Sequence, residues 1–109
     1  MTRTALPIDS AERKTYPVYS GFMVYFPHAI AEVAHLSYKG NQQHHSDKPL
    51  HWDMDKSGDE KDCLARHMID EIVSTTKESQ IDEATRMAWR AMANLERLLT
   101  GKCNYPQKD

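Results

Sequence analysis

Three stretches of this chain repeat apolar residues at the spacing of an α-helix, and no stretch of any length alternates as a β-strand does. In each stretch the apolar side chains fall on one side of the helix, as a core-facing helix requires. The sequence therefore predicts an all-α fold, a helical bundle of three principal helices with room for a short fourth in a loop. The apolar positions are Phe26, Ile30 and Val33; then Leu64, Ala65, Met68, Ile69 and Ile72; then Ile81, Ala84, Ala88, Ala91, Met92, Leu95, Leu98 and Leu99.

The first helix is expected to begin near Tyr25, with Pro27 in its first turn, where the missing N–H needs no partner. Gly40 followed by Asn41 is a good C-terminal stop. A polar loop over residues 41–56 would follow, longer than a small domain needs for a connection, which favours a functional role. The loop carries His44, His45, His51, Trp52 and Lys56.

The second helix is expected to start at Ser57, because Ser57 and Glu60 have the spacing of a capping box. It would run to about Val73, before a break at residues 74–76. Ser79 is placed to cap a third helix that Gly101 would end.

Length and charge restrict the class of protein. With 109 residues the chain is sized for one domain, and we expect an extended arm over 1–20, the helical domain over 21–101 and a tail over 102–109. A formal net charge of -2 gives no overall basic field for nucleic acid. The sequence has no apolar run of membrane length and no apolar signal region, which predicts a protein without a membrane segment. Two distant cysteines in no metal spacing indicate a reducing cytoplasm.

Polar residues form a stripe on the first predicted helix. His28, Glu32, His35 and Lys39 follow one another at spacings of four, three and four, so they share one face. Such stripes are usually solvated helix faces. A carboxylate and an imidazole one turn apart can also bind one metal ion, as Glu32 and His35 would.

A second stripe, formed by Asp59, Asp62, Arg66 and Asp70, lies on the next helix. Two ordinary explanations exist, since acids at a helix N-terminus complement its dipole and Asp62 with Arg66 makes an intrahelical pair. Two acids followed by a cation also suit a divalent metal ion beside a polyphosphate. Brought together, the two stripes would form a carboxylate-rich pocket with cations at its rim.

Other metal and aromatic patterns are weaker. The loop histidines have no cysteine beside them and no H-E-x-x-H motif, so a structural zinc site is disfavoured. His67 and Asp70 are separated by two residues, which disfavours a phosphohydrolase built on a contiguous His-Asp pair. Trp52 and Trp89 are candidates either for packing or for stacking on a base, and Arg90 for a phosphate contact.

The chain resembles the phage and bacterial dATP/dGTP diphosphohydrolases, which are akin to the MazG-like all-α nucleoside triphosphate pyrophosphohydrolases. The resemblance spans roughly residues 16–99. It is carried by Tyr25-Phe26-Pro27-His28-Ala29, Glu32-Val33-Ala34, Ser37, Gly40-Asn41, His51-Trp52, Lys56-Ser57, Asp59, Asp62-Cys63, Arg66-His67 and Ala88-Trp89-Arg90.

The resemblance implies a metal site. The wider superfamily holds Mg²⁺ with Glu-x-x-Glu on one helix and Glu-x-x-Asp on the next, and Glu32-x-x-His35 and Asp59-x-x-Asp62 stand in similar places. We therefore expect Glu32, Asp59 and Asp62 to be catalytic and to bind one to three Mg²⁺ or Mn²⁺ ions. His35 either joins them as a ligand or contacts the nucleotide.

The resulting expectation is an enzyme that converts dGTP or dATP to the monophosphate and pyrophosphate, assembled as a homodimer or homotetramer in a bacterial cytoplasm. The resemblance further implies that, in an infected host, its product feeds synthesis of a modified purine. The alternative is a non-catalytic helical module that binds a protein through the long loop. Expected substrate contacts are Lys39, Asn41, His51, Trp52, Lys56, Arg66, His67 and Arg90.

Overall fold

The computed structural model describes residues 4–52 and 58–101, with only the backbone of His45. Lys56, Ser57 and the predicted tail at 102–109 lie outside the described residues. The predicted all-α fold is confirmed, and the described part of the chain contains no strand. Its elements are α1 (Ser10–Arg13), a π-helical turn (Tyr19–Met23), α2 (Pro27–His45), α3 (Glu60–Val73) and α4 (Lys77–Thr100).

Helix α2 begins at Pro27, two residues after the expected start near Tyr25, and continues through Gly40 to His45, so the predicted stop at Gly40 is wrong. Gly40 has no positive φ angle, and a glycine inside a helix costs only about 1 kcal/mol relative to alanine. Asn41 holds the chain that follows, because its Nδ2 donates to the Lys48 carbonyl oxygen at 3.2 Å. Residues 41–45, which were expected in the polar loop, are consequently helical.

Helix α3 begins at Glu60, with Asp59 rather than Ser57 as the N-cap residue. The Asp59 side chain caps no backbone N–H and instead accepts from Arg66 Nη2 at 3.4 Å. Glu60 is fully buried and accepts from Arg90 Nη1. The predicted capping box also needs Ser57, which lies outside the described residues.

Helix α4 starts one turn earlier than expected, because Thr76 and not Ser79 is its N-cap. The Thr76 hydroxyl oxygen accepts from the Ser79 backbone N–H at 3.1 Å. The predicted end is confirmed, since Gly101 has φ 75°, a left-handed conformation that favours glycine.

The segment expected to be an extended arm over 1–20 contains the short helix α1, and the π-helical turn starts at its end. Asp9 caps α1 by accepting from the Glu12 backbone N–H at 3.0 Å. Gly21 donates to the Pro17 carbonyl oxygen at 2.7 Å, and a Cβ on Gly21 would lie only 2.9 Å from Pro17 Cγ. The close approach therefore requires a glycine.

Helix α4 is the central element, because α3 packs along it extensively and α2 packs on it over a smaller area. Ala93 is the only buried apolar residue among those described. Many large apolar side chains of α3 and α4 are exposed, including Ile69, Ile72 and Met92. One chain thus leaves much of its apolar surface in water.

None of the helices in residues 4–52 and 58–101 is both long enough and apolar enough to cross a membrane.

Candidate functional site

A cavity of about 630 Å³ lies between α2, α4 and the loop that follows α2. Five of the eight predicted substrate contacts line it, namely Asn41, His51, Trp52, His67 and Arg90. Lys39 and Arg66 are exposed and do not line it, and Lys56 is outside the described residues. The other lining residues are Leu36, Ser37, Gly40, Gln43, His44, Leu50, Arg86 and Trp89.

Two tryptophans form an aromatic corner in the cavity wall. The ring centroids of Trp52 and Trp89 are 5.4 Å apart and their planes meet at 81°, an edge-to-face pair. Trp89 is fixed to α2 because its Nε1 donates to Ser37 Oγ at 2.9 Å. Trp52 is 38% exposed, so an indole surface in the loop is accessible to a ligand.

Two arginines of α4 add positive charge to the same wall. Arg90 Nη1 donates to Glu60 Oε1 at 2.8 Å, and its guanidinium lies 5.4 Å from the centre of the Trp89 ring. Arg86 Nε donates to Asp82 Oδ2 at 3.0 Å, with both side chains 42% exposed. Both cations keep solvent-exposed surface with which they could meet an anionic ligand.

A buried ionic network supports this wall from behind. Glu60 is 0% exposed and Arg97 is 1% exposed, with Arg97 Nε 3.9 Å from Glu60 Oε2. The Arg97 guanidinium lies 5.5 Å from the centre of the Trp52 ring. Glu60 therefore links α3 to Arg90 and Arg97 on α4, and Arg97 in turn contacts the loop.

Asn41 brings a buried polar group to the cavity. The residue is 8% exposed, and its Oδ1 has no hydrogen-bond partner although its Nδ2 is bonded to the Lys48 carbonyl oxygen. Buried polar atoms nearly always have a partner, so an open acceptor beside a cavity indicates a place for a ligand's donor.

His67 lies where the cavity meets the α3–α4 contact. Its Nδ1 is 2.7 Å from Glu83 Oε2, and the two side chains are 23% and 17% exposed. Asp70 joins them, and one potential ligand atom from each residue lies within 4.8 Å of the others. Among the described residues, this is the group of three or more histidine, cysteine and acidic side chains close enough to share a metal ion.

The predicted metal ligands do not form a group like that of His67, Asp70 and Glu83. Glu32, His35, Asp59 and Asp62 are all exposed, and no three of them come within the same 4.8 Å limit. The reason is the packing, because α2 and α3 lie mainly against α4 and not against each other. A single chain thus brings no three of these four side chains close enough to share one ion.

Two of these four side chains have other contacts within their own helices. The His35 ring stacks on Tyr38, with centroids 6.0 Å apart and planes within 9° of parallel. The Asp59 carboxylate is 3.4 Å from Arg66 Nη2 and 3.5 Å from Cys63 Sγ.

Sequence reasoning did not identify Ser37, Glu83 or Arg86 as site residues. The three-residue separation of His67 and Asp70 was a usable signal, because it places both side chains on one face of α3. No local pattern connects this pair to Glu83, which comes from the next helix.

A scan against models of protein families finds no match to this chain. Searches of curated proteins and of solved structures find no significant match either.

Proposed function

We propose that this protein hydrolyses a purine deoxynucleoside triphosphate, dGTP or dATP, to the monophosphate and pyrophosphate in the cytoplasm. The observation that carries the proposal is the composition of the cavity, which joins a tryptophan corner to two arginines. An aromatic surface suits a base, and guanidinium groups suit phosphates. The resemblance to the dATP/dGTP diphosphohydrolases adds the reaction type.

The dimensions of the cavity fit a nucleotide. Its volume of about 630 Å³ falls inside the range of roughly 300–1,000 Å³ that is usual for small-molecule sites. Stacking of a base on an aromatic ring contributes about 1–3 kcal/mol. Trp52, on the loop and 38% exposed, is the more accessible of the two indoles for this contact.

The triphosphate would meet Arg86 and Arg90 at the same wall. Arg90 is held by Glu60 at 2.8 Å, which fixes its guanidinium before a ligand arrives. A cation that is already positioned loses less conformational entropy on binding. Lys39 and Arg66 do not line the cavity and would act on the triphosphate only as more distant positive charges.

The metal requirement in this proposal comes from the resemblance. Glu32 and His35 on α2 and Asp59 and Asp62 on α3 do not fit one ion within a single chain, because no three of them converge. A divalent ion would bridge phosphate oxygens and activate water. The geometry of one chain therefore gives these four residues no catalytic step.

We also propose that the chain works as a homodimer or homotetramer. Ile69, Ile72 and Val73 on α3 are 61%, 76% and 67% exposed, and Met92 and Leu95 on α4 are about half exposed. Leaving apolar surface in water forgoes about 25 cal/mol per Å². A second copy is one way to cover this surface.

The same apolar surface also favours the second candidate, a non-catalytic module that binds another protein. The two functions differ in what happens to a nucleotide. An interaction module leaves it intact, whereas a pyrophosphohydrolase cleaves between the α and β phosphorus atoms.

The test is to incubate the protein with each of the eight common NTPs and dNTPs plus Mg²⁺ or Mn²⁺ and to separate the products by anion exchange. We expect dGMP or dAMP with intact pyrophosphate. Formation of a dNDP and orthophosphate as first products would contradict the proposed reaction. Absence of turnover with all eight nucleotides would favour the interaction module.

A further inference from the structure

We propose that His67, Asp70 and Glu83 form a binding site for a divalent transition-metal ion such as Mn²⁺ at the edge of the cavity. This site differs from the acids that the resemblance implies. It does not depend on the proposed enzymatic activity, because the metal alone can test it.

The two packed helices bring these ligands together. His67 and Asp70 are three residues apart on α3 and share a face, while Glu83 reaches them from α4. Two atoms bound to one ion at about 2.0–2.2 Å each lie at most about 4.4 Å apart. The observed limit of 4.8 Å requires only a small adjustment of the side chains.

The contact between His67 and Glu83 has the length of a hydrogen bond, and it would lengthen on metal binding, because neighbouring ligand atoms about 2.0–2.2 Å from one ion lie roughly 3.0–3.5 Å apart. His67 Nδ1 and Glu83 Oε2 are 2.7 Å apart, and both side chains are largely shielded from solvent. Asp70 is exposed and can move to complete the set. Metal binding would break the hydrogen bond between His67 and Glu83.

A separate feature of the same cavity indicates that a ligand enters it. Asn41 lines the cavity together with His67, is 8% exposed, and has an Oδ1 atom without a hydrogen-bond partner. Three protein ligands leave further positions of an ion open, as in metal sites that bind a substrate or water. Arg86 and Arg90 line the same cavity and would attract an anion to those positions.

The donor set selects the class of metal. Mg²⁺ prefers oxygen ligands in a nearly ideal octahedron and keeps several waters. One imidazole nitrogen with two carboxylates instead suits a first-row transition metal. We therefore expect Mn²⁺ to bind this site more tightly than Mg²⁺.

The experiment titrates MnCl₂ into the full chain after treatment with a chelator and follows free Mn²⁺ by electron paramagnetic resonance. We expect saturable binding in which one site per chain becomes at least tenfold weaker in Glu83→Gln and in Asp70→Asn. Asp70→Asn changes an exposed side chain, so it remains informative if Glu83→Gln does not fold. The matched control is Glu96→Gln, which neutralises another exposed acid on α4 and should bind as the parent does.

Two results would overturn the proposal. One is undiminished Mn²⁺ binding in both Glu83→Gln and Asp70→Asn. The other is loss of binding in Asp59→Asn and Asp62→Asn with binding intact in the Glu83 variant, which would place the ion at the start of α3. Hydrolysis of dGTP that continues alongside either result would leave the proposed function standing and reject this site alone.

Discussion

Glu60→Gln is expected to destabilise the protein strongly, because Glu60 is the buried acid between two arginines. Its side chain is 0% exposed, 2.8 Å from Arg90 Nη1 and 3.9 Å from Arg97 Nε. Glutamine keeps the size of the side chain and removes its negative charge. Arg90 is 30% exposed and can turn to water, whereas Arg97, at 1% exposed, cannot.

The expected loss follows from these distances. A hydrogen bond to a charged group contributes about 1.5–3 kcal/mol. Two unit charges near 4 Å interact by about 4 kcal/mol at an effective dielectric constant of 20. Removing one partner of a buried ion pair generally costs about 3–5 kcal/mol, since the remaining charge stays out of water. We expect Glu60→Gln to lower the free energy of unfolding by about 3–5 kcal/mol.

The assay is urea unfolding followed by circular dichroism, at one protein concentration so that any assembly contributes equally. Asp82→Asn is the matched control, because it breaks a 3.0 Å pair with Arg86 in which both side chains are 42% exposed. An exposed pair of this kind contributes at most about 1 kcal/mol. Adding Arg97→Met to Glu60→Gln should recover more stability than adding Arg90→Met.

Equal losses in Glu60→Gln and Asp82→Asn would refute this reasoning, because they would mean that water reaches Glu60. Equal recovery from Arg97→Met and Arg90→Met would also contradict it. In that case the burial of Arg97 would not be the cause of the lower free energy of unfolding.

Three further outcomes are expected. Trp52→Leu should weaken binding of a non-hydrolysable dGTP analogue by the about 1–3 kcal/mol that stacking contributes, measured by calorimetry, whereas unchanged affinity would place the base elsewhere. Asp62→Asn should lower turnover by orders of magnitude and leave the thermal stability of the metal-free protein nearly unchanged. Near-full pyrophosphate release by this variant would show that Asp62 is not a metal ligand. Light scattering at micromolar concentration should show a dimer or tetramer, and Ile72→Asp should weaken this assembly. A stable, fully active species of 12.6 kDa would contradict the proposed assembly.

The helices were predictable because their signals are local. Apolar periodicity and Gly101 determine the course of α4, and Pro27 marks the start of α2. The errors arose where a side chain had a tertiary partner. Helix α3 starts at Glu60, whose buried side chain pairs with Arg90, and Asn41 bonds to the Lys48 carbonyl oxygen while α2 passes through Gly40.

The candidate site was predictable only in part. Asn41, His51 and Trp52 were identified from the loop and the resemblance, and they do line the cavity. The contribution of Glu83 could not be inferred, since its distance to His67 depends on how α3 and α4 pack. The arrangement in which no three of the four predicted metal ligands converge likewise follows from packing, which spacing within one helix does not reveal.

The unequal packing on α4 also determines how the cavity can open. Because α3 is held along α4 more extensively than α2 is, α2 can separate by local unfolding while the α3–α4 hairpin stays intact. Such an opening breaks the bond between Trp89 Nε1 and Ser37 Oγ and removes one wall of the cavity. Amide hydrogens of α2 would then exchange with solvent faster than those between α3 and α4, and a ligand held in the cavity would slow the exchange of α2 selectively.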